Sequence, residues 1–544
     1  MSKTRSDTLF TLIKSMTKSE KRYFKLSQNG VDGAKYLRLF AHIDAAADFD
    51  ESRILSLEPD FDPARFSSLK AHLYGRVLKS LRDFALKSVP EMEVRAMIDE
   101  ARVLLHKGLY TQCRKHLDKA EKRAETVEGF ELILEILRWK KQLLSYTAGF
   151  EKGDYVGEIV EKTERAARRI NNINSFTNLH AELGALYRKS GYIRNAEEHA
   201  RIREIFSARV PEVRTDDLSV RERIHLYRLY IGYHFFAQEF AEGLAYAKKW
   251  TALFAGREDL QRSNPEDYIA GLNNLLIAQN KCGLTADFAE SKRTLRRYSR
   301  AAGPGLNPHL GLKLRKYTTV HEFNGLFMTG DFDRGVALFE RLAPGLDGFL
   351  QQLDPHSRVI LHYKSACLYF ANGDYGKCIA RLHRIFNMKE ADLREDIHAF
   401  ARVLHLIAHY EAGHTDAIPY HLRSAYRFLL QKQELRDYQK LLLTFMRRLG
   451  AGPSGLRKGE RRLGEMNSPE PEPDSPKHGS PANGAPAPTD RHFRDLRAAM
   501  LRLRENPYEA RAFVYFDIIA WLDTHLEGKT MQEVVQGRVD AEVR

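Results

Sequence analysis

His405 and His409 stand four residues apart in HLIAH, and His414 follows five residues later. Two imidazoles one helical turn apart are the usual start of a zinc or related transition-metal site. This stretch lacks the glutamate that HExxH metalloproteases use as general base, and no further ligand follows at a defined spacing. In a chain with 21 histidines such a pair arises easily, so the sequence assigns no metal. Cys367 and Cys378 fall at small-residue packing positions and read as core rather than as nucleophiles. GPGLNPHLG, from Gly303 to Gly311, has neither the GK[ST] of a phosphate loop nor a strand before it, and reads as a connecting loop. There is no Ser/His/Asp or Cys/His constellation and no carboxylate pair in a specific context. The expectation is a protein without catalytic residues or cofactor.

The elements that would position any site are helices. Apolar residues recur at steps of three and four, as in ELILEILRWKKQLL and AFARVLHLIAHYEAG, and strand-like alternation is missing. At 544 residues the chain exceeds one compact core. Its hydrophobic fraction of 43% and charged fraction of 29% are those of a globular protein. The net charge of +14 permits an acidic partner, whether nucleic acid, anionic membrane or protein, but the Lys and Arg residues are scattered rather than massed. Four cysteines without a CxxC pair argue against a disulfide framework. No signal-peptide-like stretch or span of ~18 apolar residues occurs. The expected location is the cytoplasm.

Turn signals recur along the chain at Gly108, Gly153, Gly191, Gly283, Gly330, Gly373 and Gly413, with Gln238 standing where one glycine is missing. The steps between them are 38 to 47 residues, room for two helices and two short connections. NLHAELGALYRKSGYIRNAEEHA carries Leu183, Gly184 and Tyr187 in a first helix, with His180 before them, then the Gly191 turn, then Ala196 and Ala200. This resembles the tetratricopeptide repeat, whose helix pairs follow W-x2-L-G-x2-Y and A-x3-F. The second-helix half returns as Gly108, Tyr110, Cys113, Leu117 and Ala120. It recurs as Gly330, Phe332, Gly335 and Phe339, and again as Gly373, Tyr375, Cys378 and Leu382. The period exceeds the family's, which is about 34, so the array is degenerate, with HEAT-like stacking a near neighbour. The resemblance implies an all-α solenoid of stacked antiparallel helix pairs. It also implies a concave face that holds a protein or peptide, toward which Asn178, Arg188, His225, Arg228, Asn273, Asn280, Asn324 and Tyr363 would point.

Four regions follow from this reading: an N-terminal helical cap over 1–90, the array over 91–449, a disordered Pro/Gly/Ser linker over 450–490 and a C-terminal helical segment over 491–544. In the cap, Thr17 and Glu20 have capping-box spacing. Its basic residues, Lys14 to Lys25 and Lys70 to Lys87, leave nucleic-acid binding as the alternative function. Phe513 to Leu522 reads as a helix too apolar to stand uncovered. It would cap the last repeat, or else pair with a second copy or a partner.

Overall fold

The computed structural model describes residues 8–28, 34–86, 88–147, 154–302, 306–388, 394–450 and 488–543. Their regular structure is helical throughout, with no strand among the described residues. None of their helices is long and apolar enough to cross a membrane. The chain divides into two compact units, Met1–Asn172 and Ile173–Arg544. Gly153 and residues 451–487 of the expected linker lie outside the described residues.

The first unit begins with α1 (Thr8–Ser15), α2 (Lys18–Ser27), α3 (Lys35–Ala45), α4 (Glu51–Leu57) and α5 (Phe66–Ala85). These close over their own core of Leu9, Ile13, Phe24, Phe40, Leu73 and Val77. The capping box forms as expected: Thr17 accepts from the Glu20 amide at 3.2 Å, and Glu20 reaches back to the Thr17 amide at 2.6 Å. Several basic side chains of this region meet partners within it. Lys21 and Lys25 pair with Asp44 at 2.7 and 3.6 Å, and Lys70 pairs with Glu51 at 2.9 Å. Arg76 bonds Gln28 and covers the Tyr36 ring.

Next come α6 (Pro90–His106), α7 (Tyr110–Thr126), α8 (Phe130–Thr147) and α9 (Tyr155–Ser190), whose C-terminal part belongs to the second unit. α6 packs on α7, and α7 on α8. Cys113, Leu117 and Ala120, the expected packing positions of α7, are all buried.

The second unit continues with α10 (Ala196–Arg209), α11 (Val220–Ala237), α12 (Phe240–Ala252), α13 (Glu258–Ser263), α14 (Pro265–Lys281) and α15 (Thr285–Ala302). It runs on through α16 (Pro308–Thr329), α17 (Phe332–Gln352), α18 (Pro355–Ala371), α19 (Tyr375–Phe386), α20 (Glu395–Glu411), α21 (Ile418–Gln431) and α22 (Asp437–Gly450). From α14 onward each helix packs on the next, and α14, α16, α18 and α20 also touch in succession, the arrangement of stacked helix pairs. The turn residues explain the reversals. Each described turn glycine has φ between +67 and +80°, the left-handed region that ends many helices, and Gln238 takes the same conformation at +66°.

Three expectations are corrected here. Ala196 and Ala200 are exposed, and α10 buries Ile202 and Phe206 instead. The reason is the connection. After the other described turn glycines of the quoted repeats the second helix resumes two residues on, whereas α10 starts five residues on, behind its Asn195 cap, which rotates its buried face. The loop expected through Gly311 is shorter, because Asn307 accepts from the Leu310 amide and starts α16 at Pro308.

The third concerns the C-terminal segment, which is broken rather than one helix. After α23 (Pro488–Arg504), which begins within the expected linker, come α24 (Arg511–Tyr515), α25 (Ile518–Glu527) and α26 (Met531–Val543). Phe516 is extended, and the Asp517 carboxylate accepts from the Ala520 amide at 2.8 Å, restarting the helix as α25.

Candidate binding site

The last helix pair is covered, as expected, by the chain's own C-terminal segment. α23 packs on α22, and Phe493 stands edge-on to Phe445 and Trp521. α26 then packs against α16, where the Gln532 side chain accepts from the Phe332 and Asp333 amides at 2.9 and 3.1 Å. It thereby satisfies free donors at the start of α17.

Between those anchors, residues 508–517 lie against α10, α18, α20 and α22, with Ala512 and Phe516 buried and Val514 exposed. Tyr508 lies 3.4 Å from His199, and Glu509 accepts from the Tyr438 amide at 3.2 Å. Tyr515 stacks on Phe400 with ring centroids 4.3 Å apart, and stands edge-on to Tyr363. Its hydroxyl donates to Asp396. Asp396 is the anchor of this contact. Arg394 forks onto it through two bonds of 2.8 Å and lies over the Tyr187 ring. Arg394 also donates its amide to the Arg188 carbonyl at 3.0 Å, from a left-handed backbone. Burial pushes the Asp396 carboxyl pKa up, but Arg394 and the Tyr515 hydroxyl outweigh it and hold it below the ordinary value. Gly191 is required twice over here: its φ is +80°, and a Cβ would collide with the Asp396 carboxylate.

A cavity of about 480 Å³ lies beside Tyr515, lined among others by Asn280, Lys281, Asn324, Tyr363, Lys364 and Arg394. A polar chain leads into it. Asn273 faces His321 Nε2 at 3.1 Å, His321 Nδ1 faces the Asn324 amide at 3.3 Å, and Asn324 Oδ1 accepts from Lys364 at 2.7 Å. Burial, with Lys364 and Lys292 nearby, takes the His321 pKa down to about 3, so the ring is neutral. Neutral His321 donating through Nε2 and accepting at Nδ1 satisfies the whole run. At its end stand two ammonium groups. Burial lowers Lys364 to about 8; burial, then the charges of Lys364 and Arg394, lower Lys281 to about 7. Neither makes an ion pair with a carboxylate among the described residues. Such a cavity favours an anionic group, because a carboxylate would restore the charge that desolvation disfavours.

Of the residues expected on the concave face, Asn273, Asn280, Asn324 and Tyr363 are thus brought to one place. Asn178 is exposed, and Arg188 contributes its backbone carbonyl. Arg228 bonds Asp267 at 2.8 Å and lies over Trp250, and His225 is half-buried beside it on α11. Sequence reading missed Lys281, Lys364, Arg394, Asp396 and Tyr515. A signal existed for one of them: in VILHYKSACLYF a single lysine interrupts an apolar helix. Arg394, by contrast, follows residues 389–393, where no periodicity marks it.

No family model, curated protein or solved structure gives a significant match to this chain.

Proposed function

We propose that this protein is a non-enzymatic binding protein of the α-solenoid, tetratricopeptide-like kind. Its second unit holds a short turn-and-helix stretch of polypeptide bearing aromatic and acidic side chains. One observation carries the reading: helices of the second unit already hold such a segment, the chain's own residues 508–517, through a tyrosine, a glutamate and backbone contacts. The adjoining cavity offers amide and ammonium groups to a further acidic residue. The intramolecular segment then acts as a competitor, which a partner of the same chemistry must displace. Its cost to the partner's apparent affinity equals the free energy that docks it.

A synthetic peptide of residues 506–520 tests this against the full chain and its Tyr515→Ala variant, by fluorescence anisotropy, with helical content checked by circular dichroism. The peptide is expected to bind the variant at least tenfold more tightly than the wild type, whose site is filled. A peptide carrying Tyr515→Ala is expected to bind neither. Equal binding of the two peptides to the variant, or binding of neither, would overturn the reading.

A further inference from the structure

Away from the Tyr515 site, the turn at Gly413 and a short 3-10 helix, Thr415–Ala417, fold α21 back along α20. This reversal carries His421 onto the two histidines of HLIAH. Its ring stacks on His409 with centroids 4.1 Å apart, and meets His405 edge-on at 4.8 Å. One ring nitrogen from each of His405, His409 and His421 lies within 4.8 Å of the others. From α19, His383 Nε2 approaches His405 Nε2 to 3.0 Å, and His409 Nε2 stands 3.2 Å from the same atom.

These contacts are hard to satisfy with protons alone. A ring nitrogen carries either one proton or one lone pair, so His405 Nε2 cannot make two well-directed hydrogen bonds at once. A metal ion resolves the conflict. Around zinc, with bonds of 2.0–2.1 Å, tetrahedral ligand nitrogens stand about 3.4 Å apart, close to the 3.0 and 3.2 Å between His405 Nε2 and the His383 and His409 nitrogens.

We infer that His405, His409 and His421 ligate a divalent transition-metal ion of the zinc class, with His383 as the fourth nitrogen donor. The donor set is all imidazole, which suits zinc, copper, nickel or cobalt and not magnesium or calcium. His414 supplies the supporting contact, its Nδ1 lying 3.0 Å from His409 Nδ1. A proton held between those two atoms leaves the His409 Nε2 lone pair for the ion. His405 is buried, while His383 and His414 are exposed and give the ion a path from solvent. Arg402, one turn before His405, stands over the Phe386 and Phe428 rings. Its charge opposes any cation, so only strongly coordinating metals overcome it. The bound ion ties α19, α20 and α21 together.

The test is isothermal titration of the chelator-treated full chain with zinc chloride, alongside the visible absorption of its cobalt form. One equivalent is expected to bind at micromolar or tighter dissociation constant, with the d–d bands of tetrahedral cobalt. His409→Asn/His421→Asn, two half-buried positions that spare the core, is expected to weaken zinc at least tenfold and abolish those bands, with helical content kept. His383→Ala is expected to give a smaller loss and shift the bands. Absence of a one-equivalent site in the wild type would overturn the inference. So would zinc affinity unchanged in the double variant, which would mark adventitious binding by other histidines.

Discussion

Two lysines, one in each unit, stand in opposite company. In the first unit Lys140 of α8 is 5% exposed and bonds both Asp118 and Glu121 of α7. Lys162 of α9 adds a bond of 2.6 Å to Glu121. Burial depresses the Lys140 pKa, but the two carboxylates outweigh it and the value rises. In the second unit Lys364 of α18 has an asparagine for a partner, and its pKa falls. The first arrangement is complete: charges and counter-charges come from three successive helices and hold them together. The second sets a cation against an amide, with no carboxylate ion-paired to it among the described residues. A buried charge that is paired reads as architecture, and one left unpaired reads as a binding site.

The largest effect should come where the second unit does complete a pair. Asp396→Asn strips Arg394 of its counter-charge and Tyr515 of its acceptor. We expect about 3–5 kcal/mol lost in urea denaturation, and faster proteolysis within residues 508–517. Loss of stability with unchanged proteolysis would separate the ion pair from segment docking. In the first unit, Glu121→Gln leaves Lys140 with Asp118 alone. The expected cost is about 2–3 kcal/mol, with the 508–517 segment equally protected; a cost below 0.5 kcal/mol would remove the network from the comparison.

The smallest effect is the pH dependence of the unpaired lysines. Lys281 and Lys364 titrate at about 7 and 8 in the folded protein, against about 10.4 in an unfolded chain. Between those values the unfolded state binds more protons, so stability rises with pH through that window. Lys140 has the opposite sign. Its folded pKa is raised, so its contribution is present below the unfolded value and is lost as pH passes the folded one. The full shifts would give roughly 4 kcal/mol, but solvent reaches both half-buried lysines and screens most of it, so replacing Lys281 and Lys364 by Met should flatten the rise between pH 6.5 and 9 by on the order of 1 kcal/mol. An identical slope in the double variant would mean that neither cavity ammonium is depressed.

Much of the local structure was legible because it depends on neighbours in sequence. The Thr17 capping box, the left-handed glycines and even Gln238 in a glycine's place follow from hydrogen bonds spanning a few residues. So does the burial of Cys378, Leu382, Phe332 and Phe339, since a helix repeats its faces every 3.6 residues. The register of α10 escaped because three extra residues before Asn195 turn its face by an amount that no periodicity records. The break at Phe516 escaped because Phe513 to Leu522 satisfies a helical pattern on both sides of it.

By itself, then, the sequence determined an all-helical chain, where most of its helices reverse and which faces they bury. Tertiary structure alone decided what those faces enclose. Arg188, Arg394 and Tyr515 are separated by 206 and 121 positions, and His383 stands 22 residues before His405. No short-range rule links such residues. They meet because helices distant in sequence pack on one another, and because the apolar residues of the C-terminal segment find cover against α18, α20 and α22.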